Sequence, residues 1–122
     1  MDHPAAEAFA QRWVADWNSG DLDRILEHYD EAVQLTSATA RRLGASTTGT
    51  VTGRAALAAY FRTGLDRAPD LSFDLLAVFA GIGGLTVVYR NHVRQLCAET
   101  MLVTDGVVHT AHVHYAPEGP RP

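Results

Sequence analysis

Three runs of alternating residues constrain this chain more than anything else in it: GLTVVYRNHVRQ (84–95), LCAETMLVTD (96–105) and GVVHTAHVHY (106–115). Successive side chains of a strand point to opposite faces of its sheet, so each run offers an inward set and an outward set. Tyr89, Asn91, Val93, Glu99, Met101, Val103, Ala111, Val113 and Tyr115 share one face, mostly apolar and carrying a single carboxyl group. Arg90, His92, Arg94, Thr100, Leu102, Thr104, His112 and His114 share the other, which is richer in cations. Asp105-Gly106 reads as a tight hairpin turn between the last two runs. An acid on an apolar strand face is costly to ionise, so Glu99 is expected either to meet a partner or to keep its proton. It is the first candidate for chemistry.

Upstream the period changes. Ala6, Phe9, Ala10, Trp13 and Trp17 recur at spacings of three and four, which predicts a helix over 4–18 that Asn18-Ser19-Gly20 stops. Asp21 opens a second helix with Leu22, Ile25, Leu26 and Tyr29 inward. A short strand follows at 32–37. Residues 38–50 lack a period and read as a long loop, with a brief strand near 48–52; Arg41 and Arg42 could meet an anionic substrate there, but a solvated pair is the preferred reading. Thr52 then caps a third helix over 53–65, inward at Leu57, Phe61 and Leu65. Ala68-Pro69-Asp70 breaks the chain before a strand over 71–80, and Gly81-Ile82-Gly83-Gly84 leads into the three final runs. Helices first and antiparallel strands last describe an α+β domain. The whole of 1–122 is read as one domain, with a flexible tail at 117–122.

Composition narrows the partners. The formal charge of -4 is spread without a basic run, which argues against nucleic acid. Cys97 is the sole cysteine, so neither an intrachain disulfide nor a cysteine-based zinc framework is available. No apolar run reaches membrane-spanning length and the start lacks a signal core, so a cytoplasmic protein without a membrane partner is expected. His112 and His114, with His92 beside them, point outward by parity and read as surface or interface residues, not zinc ligands. His28 reads as a surface residue, and His109 lies on the inward parity.

The segments WVADWNSGDLDRILEHYDEAVQL (13–35), GRAALAAYF (53–61) and ETMLVTDGVVHTAHVHY (99–115) resemble, in order and spacing, the NTF2-like superfamily and within it the SnoaL-like and ketosteroid-isomerase-like branch. The resemblance implies a cone: a curved antiparallel sheet wrapped around a deep apolar pocket, closed by three N-terminal helices, with homodimerisation through the outer sheet face. Arg90, His92, His112 and His114 would then lie near the dimer contact. Laid on the isomerase pattern of a base and a Tyr–acid oxyanion hole, the tyrosine position falls on Trp13 and the base on Thr36 or Ser37. Only Glu99 keeps an acid. The reading is a small-molecule-binding protein, acting as a cofactor-independent isomerase, cyclase or hydratase on a hydrophobic carbonyl compound. Glu99 would move the proton, with Trp13, Trp17, Thr36, Tyr60, Tyr89, Asn91, Met101 and Tyr115 around the ligand. The alternative is a domain of the same fold that binds or dimerises without catalysis.

Overall fold

The structure, a computed structural model, describes residues 1–117, so the tail expected at 117–122 lies, beyond its first residue, outside the described residues. The elements are α1 (His3–Ser19), α2 (Leu22–Leu26), β1 (Tyr29–Thr36), α3 (Ala38–Arg42), β2 (Thr50–Thr52), α4 (Arg54–Arg67), β3 (Asp74–Ala80), β4 (Gly84–Arg90), β5 (Leu96–Thr104) and β6 (Val107–Tyr115).

α1 forms where the apolar spacing placed it. The Asp2 carboxylate accepts from the Ala5 N–H at 2.8 Å, and Gly20, left-handed at φ 70, returns its N–H to the Trp17 carbonyl. The helix buries Ala6, Phe9, Ala10, Trp13 and Trp17. α2 is a short helix opened by Asp21. Tyr29 is not on it but begins β1, where it pairs in register with Val108 of β6 and is buried. A helix of five residues has little stability of its own, and the strand ladder takes the tyrosine.

The sheet has six strands in the order β2-β1-β6-β5-β4-β3. It is curved and unclosed. Every pairing is antiparallel except β1 with β6. Those two strands are far apart in sequence, so no hairpin fixes their direction and a parallel pair can form. Register irregularities at Leu75/Ala77 and Leu102/Val103 bend the sheet. Gly84 permits the close approach of β4 to β5, because a Cβ there would collide with the Met101 carbonyl oxygen.

Parity in the last three strands follows the sequence reading. Leu85, Val87, Tyr89, Cys97, Glu99, Met101 and Ala111 are buried on the concave face, whereas Leu102, His112 and His114 are exposed on the other. The departure comes at the end of β4. The strand stops at Arg90 and residues 91–95 make a turn, with Arg94 at φ 64 and its N–H bonded to the Asn91 carbonyl at 2.9 Å. Asn91 holds this turn by accepting the N–H groups of Val93 and Gln95 through Oδ1. Val93 therefore leaves the inner face and is 66% exposed.

Two further expectations are corrected. Thr52 does not cap α4: it pairs with Gln34 in β2, and the N-cap is Gly53 at φ 92 without a side-chain bond. The 38–50 segment is not all loop, since Ser37 accepts from the Thr39 N–H and starts α3. Helices pack on the concave face through aromatic contacts. Phe73 lies 5.5 Å from Trp13 and 4.3 Å from Tyr89, centroid to centroid. No helix among the described residues is long and apolar enough to cross a membrane.

Candidate functional site

A cavity of about 280 Å³ lies between the concave sheet face and the α3–α4 side of the molecule. Its depth can be read along the inward positions of the strands. On β5, Cys97 and Glu99 line it and Met101 does not; on β4, Tyr89 lines it and Val87 does not; on β6, Tyr115 and Val113 line it and Ala111 does not. The floor is therefore the level of Glu99 and Val113, which are register partners. The turn at 91–95 supplies the mouth. Trp17, Phe61, Phe73 and Leu35 give apolar walls.

Glu99 is 3% exposed, and its Oε1 accepts from the Tyr89 hydroxyl at 2.9 Å. No second hydrogen bond to this carboxyl is present among the described residues. Burial pushes its pKa up to about 7, opposed by the Tyr89 bond, which favours the anion. The group thus sits between its acid and base forms near neutral pH. Burial and then the Glu99 charge push the Cys97 thiol up to about 11, and the same two causes raise Tyr29 and Tyr89. Burial also lifts Tyr60 to about 12 and raises Tyr115. These phenols and the thiol stay neutral at ordinary pH. A second polar cluster stands on the wall beside α3. The Tyr115 hydroxyl accepts from Thr39 Oγ1 at 2.9 Å and shares a 2.9 Å hydrogen bond with the buried Ser37.

Of the residues expected around a ligand, Trp17, Tyr60, Tyr89, Asn91 and Tyr115 line the cavity with Glu99. Trp13, Thr36 and Met101 do not. Trp13 is 1% exposed and donates its indole N–H to the Tyr29 hydroxyl at 3.1 Å, so it belongs to the core. Met101 lies one level below Glu99, fully buried between Leu85 and Ala111. Thr36 faces the outer side of the sheet, bonded to Thr50 Oγ1 at 2.9 Å and in register with His112; its neighbour Ser37 supplies the inward hydroxyl.

His92 is corrected in the opposite sense. The turn carries it off the outer face to the cavity lining, where its Nδ1 is buried without a partner. Arg90, His112 and His114 keep the outward parity. His28 is not a surface residue: its Nε2 lies 2.7 Å from Asp16 Oδ2, and its ring meets Phe9 edge-on at 5.5 Å. His109 loses its inward parity to the bulge, with Val108 and Ala111 as the buried residues on either side, and it faces Asp30 at 3.7 Å. No group of three His, Cys, Asp or Glu side chains converges among the described residues.

Tyr29, Cys97, Arg42 and Arg67 line the cavity although none is expected there from the sequence. Tyr29 lies beyond the end of the helix expected to hold it and begins β1, and Cys97 is on the inward side of β5. Arg42 and Arg67 reach the cavity as the last residues of α3 and α4. Only Tyr29 and Cys97 left a usable signal, because each sits on the inward parity of its strand.

Fold and site together define a class: an α+β cone whose blind apolar cavity ends on one buried carboxyl group. The SnoaL-like domain model matches residues 10–119, and the chain belongs to that family. A SnoaL-like protein of unknown function from Burkholderia thailandensis is 30% identical, with 96% of this chain and 98% of that chain covered and a TM-score of 0.91. A Kribbella flavida protein provisionally assigned as a ketosteroid isomerase is 19% identical over 94% of this chain and 79% of its own, with a TM-score of 0.73. TerC, co-crystallised with polyporic acid, is 11% identical, covers 91% of each chain and has a TM-score of 0.74. The last two likenesses speak for the fold alone. No curated protein is significantly similar in sequence.

Proposed function

We propose that the protein binds a hydrophobic, carbonyl-bearing small molecule and acts on it as a cofactor-independent isomerase, cyclase or hydratase. The observation that carries this is Glu99, alone at the closed end of an apolar cavity with a pKa of about 7 and one hydrogen bond, from Tyr89. A carboxyl group poised near neutrality exchanges protons at either end of a reaction cycle. As the acid it gives its proton to the substrate carbonyl oxygen, and the anion so formed takes a proton from the adjacent carbon, which leaves an enol. The same two transfers run in reverse at another carbon close an isomerisation without any other reactant and return Glu99 to its acid form. Tyr89 positions the carboxyl. Asn91 spends its oxygen on the turn and one amide N–H on Cys97 Sγ at 3.8 Å, which leaves its other N–H to offer a ligand. A structural neighbour crystallised with polyporic acid supports a small-molecule role for a cavity of this kind.

One observation favours the alternative, a binding domain without catalysis. Among the described residues Glu99 is the sole carboxyl group lining the cavity, so no second acid is at hand to divide the proton-transfer work. A thermal-shift panel of aryl ketones, steroids and terpenoids on wild type and Glu99→Gln, followed by mass analysis of incubated hits, separates the readings. Turnover that disappears in Glu99→Gln supports the enzyme. Binding without turnover supports a binding domain, and no binding at all contradicts the enzyme and leaves the domain that dimerises without catalysis.

We also propose a homodimer through the outer sheet face. Phe79, Thr86, Thr100 and His112 form one continuous outer row by register, and Phe79 and Leu102 are 60% and 48% exposed. Sedimentation of wild type and Leu102→Glu tests it: a dimer that the variant splits is expected, and a wild-type monomer at micromolar concentration contradicts it.

A further inference from the structure

Arg42 and Arg67 line the cavity from two separate elements, the ends of α3 and α4, and both are exposed. A basic residue in the last turn of a helix is ordinary. Two that share one opening are not. Neither arginine is among the ion pairs of the described residues, and the turn facing them across the mouth contributes Asn91, His92, Val93 and Gln95 to the lining, none of them acidic. The chain as a whole is acidic, at -4, so a cationic mouth runs against its overall sign. The Arg42 charge reaches inward as far as the Tyr60 hydroxyl, whose anion it favours.

We propose that the cavity takes an amphipathic organic acid, its anionic group held at the mouth by Arg42 and Arg67 and its carbonyl-bearing apolar body extending down to Glu99. This rests on the reading of the cavity as a small-molecule site and adds the ligand's charge and length. Planar guanidinium groups suit a carboxylate, which they engage through paired N–H bonds. The span follows from the strand. From Leu96, where β5 leaves the turn at the mouth, to Glu99 at the floor is three strand steps, roughly 10 Å at about 3.3 Å per residue. The acid and the carbonyl are separated by that order of distance.

The test uses a phenyl keto acid of that span and its methyl ester, titrated calorimetrically into wild type, Arg42→Gln/Arg67→Gln and Glu99→Gln. Both arginines are exposed, so the double variant keeps the fold. Wild type is expected to prefer the acid about tenfold, the scale of a charge-assisted hydrogen-bonded pair. The double variant is expected to lose that preference while holding the ester unchanged, and Glu99→Gln to retain it. Equal binding of acid and ester by wild type, or a preference that survives in the double variant, overturns the anion inference alone. Failure of both probes to bind overturns it together with the small-ketone reading beneath it.

Discussion

Replacing Glu99 by Gln should stabilise the protein above neutral pH, and the size of the effect follows from where the carboxyl sits. Its pKa is about 7 in the folded protein against 4.5 for an ordinary carboxyl, chiefly because burial penalises the anion. Below pH 4.5 folded and unfolded chains both hold the proton, and the group contributes nothing to the pH dependence. As pH rises from there the unfolded chain releases its proton while the folded chain keeps it, so stability falls. The fall ends near pH 7, where the folded group ionises too. The shift, taken at about 1.4 kcal/mol per unit, amounts to about 3 kcal/mol of stability lost in full by pH 8. Gln is the same size, its carbonyl can still accept from the Tyr89 hydroxyl, and it carries no charge to bury. Urea unfolding at fixed protein concentration should therefore find the variant near wild type at pH 4.5 and more stable by about 2–3 kcal/mol at pH 8. Other titrating groups cancel in this difference. A variant less stable than wild type at pH 8, or a difference that does not change between the two pH values, would refute the reasoning.

Tyr89→Phe removes the donor that favours the Glu99 anion, so the carboxyl should titrate higher than in wild type; carbon-13 NMR of labelled glutamate reads the change. Gly84→Ala forces a methyl group against the Met101 carbonyl and must part β4 from β5, at a cost of about 3 kcal/mol or more in urea unfolding. Trp13→Phe loses the bond to Tyr29 and leaves a void in the core. It should cost about 1–3 kcal/mol while leaving ligand affinity unchanged, because Trp13 does not line the cavity.

Much of the fold was legible because strand parity and helical spacing are local properties. Glu99, Tyr89 and Tyr115 could be placed on one face from their positions in three consecutive runs, and hairpin pairing kept them there. Part of what failed involved partners distant in sequence. Tyr29 and Thr36 belong to β1, whose orientation is set by β6 more than seventy residues later in the chain. Val93 and His92 continue the alternation of β4 on paper, and only the side-chain bonds of Asn91 to Val93 and Gln95 turn the chain away. Trp13 and Met101 have the right parity but the wrong depth, and depth depends on how far the helices descend into the sheet. Arg42 and Arg67 carry no local mark at all, since a solvated arginine and one at a cavity mouth look alike in sequence.

A carboxyl group at the cavity floor that meets a carbonyl is tested most directly by the affinity of an uncharged aryl ketone as a function of pH. A ketone oxygen accepts a hydrogen bond from protonated Glu99 and not from its anion. Wild-type affinity should hold steady below about pH 7 and then weaken toward tenfold per pH unit above it, while Glu99→Gln shows no such dependence. Affinity in wild type that is flat from pH 5 to pH 9, or that bends identically in both proteins, would contradict the central role given to Glu99.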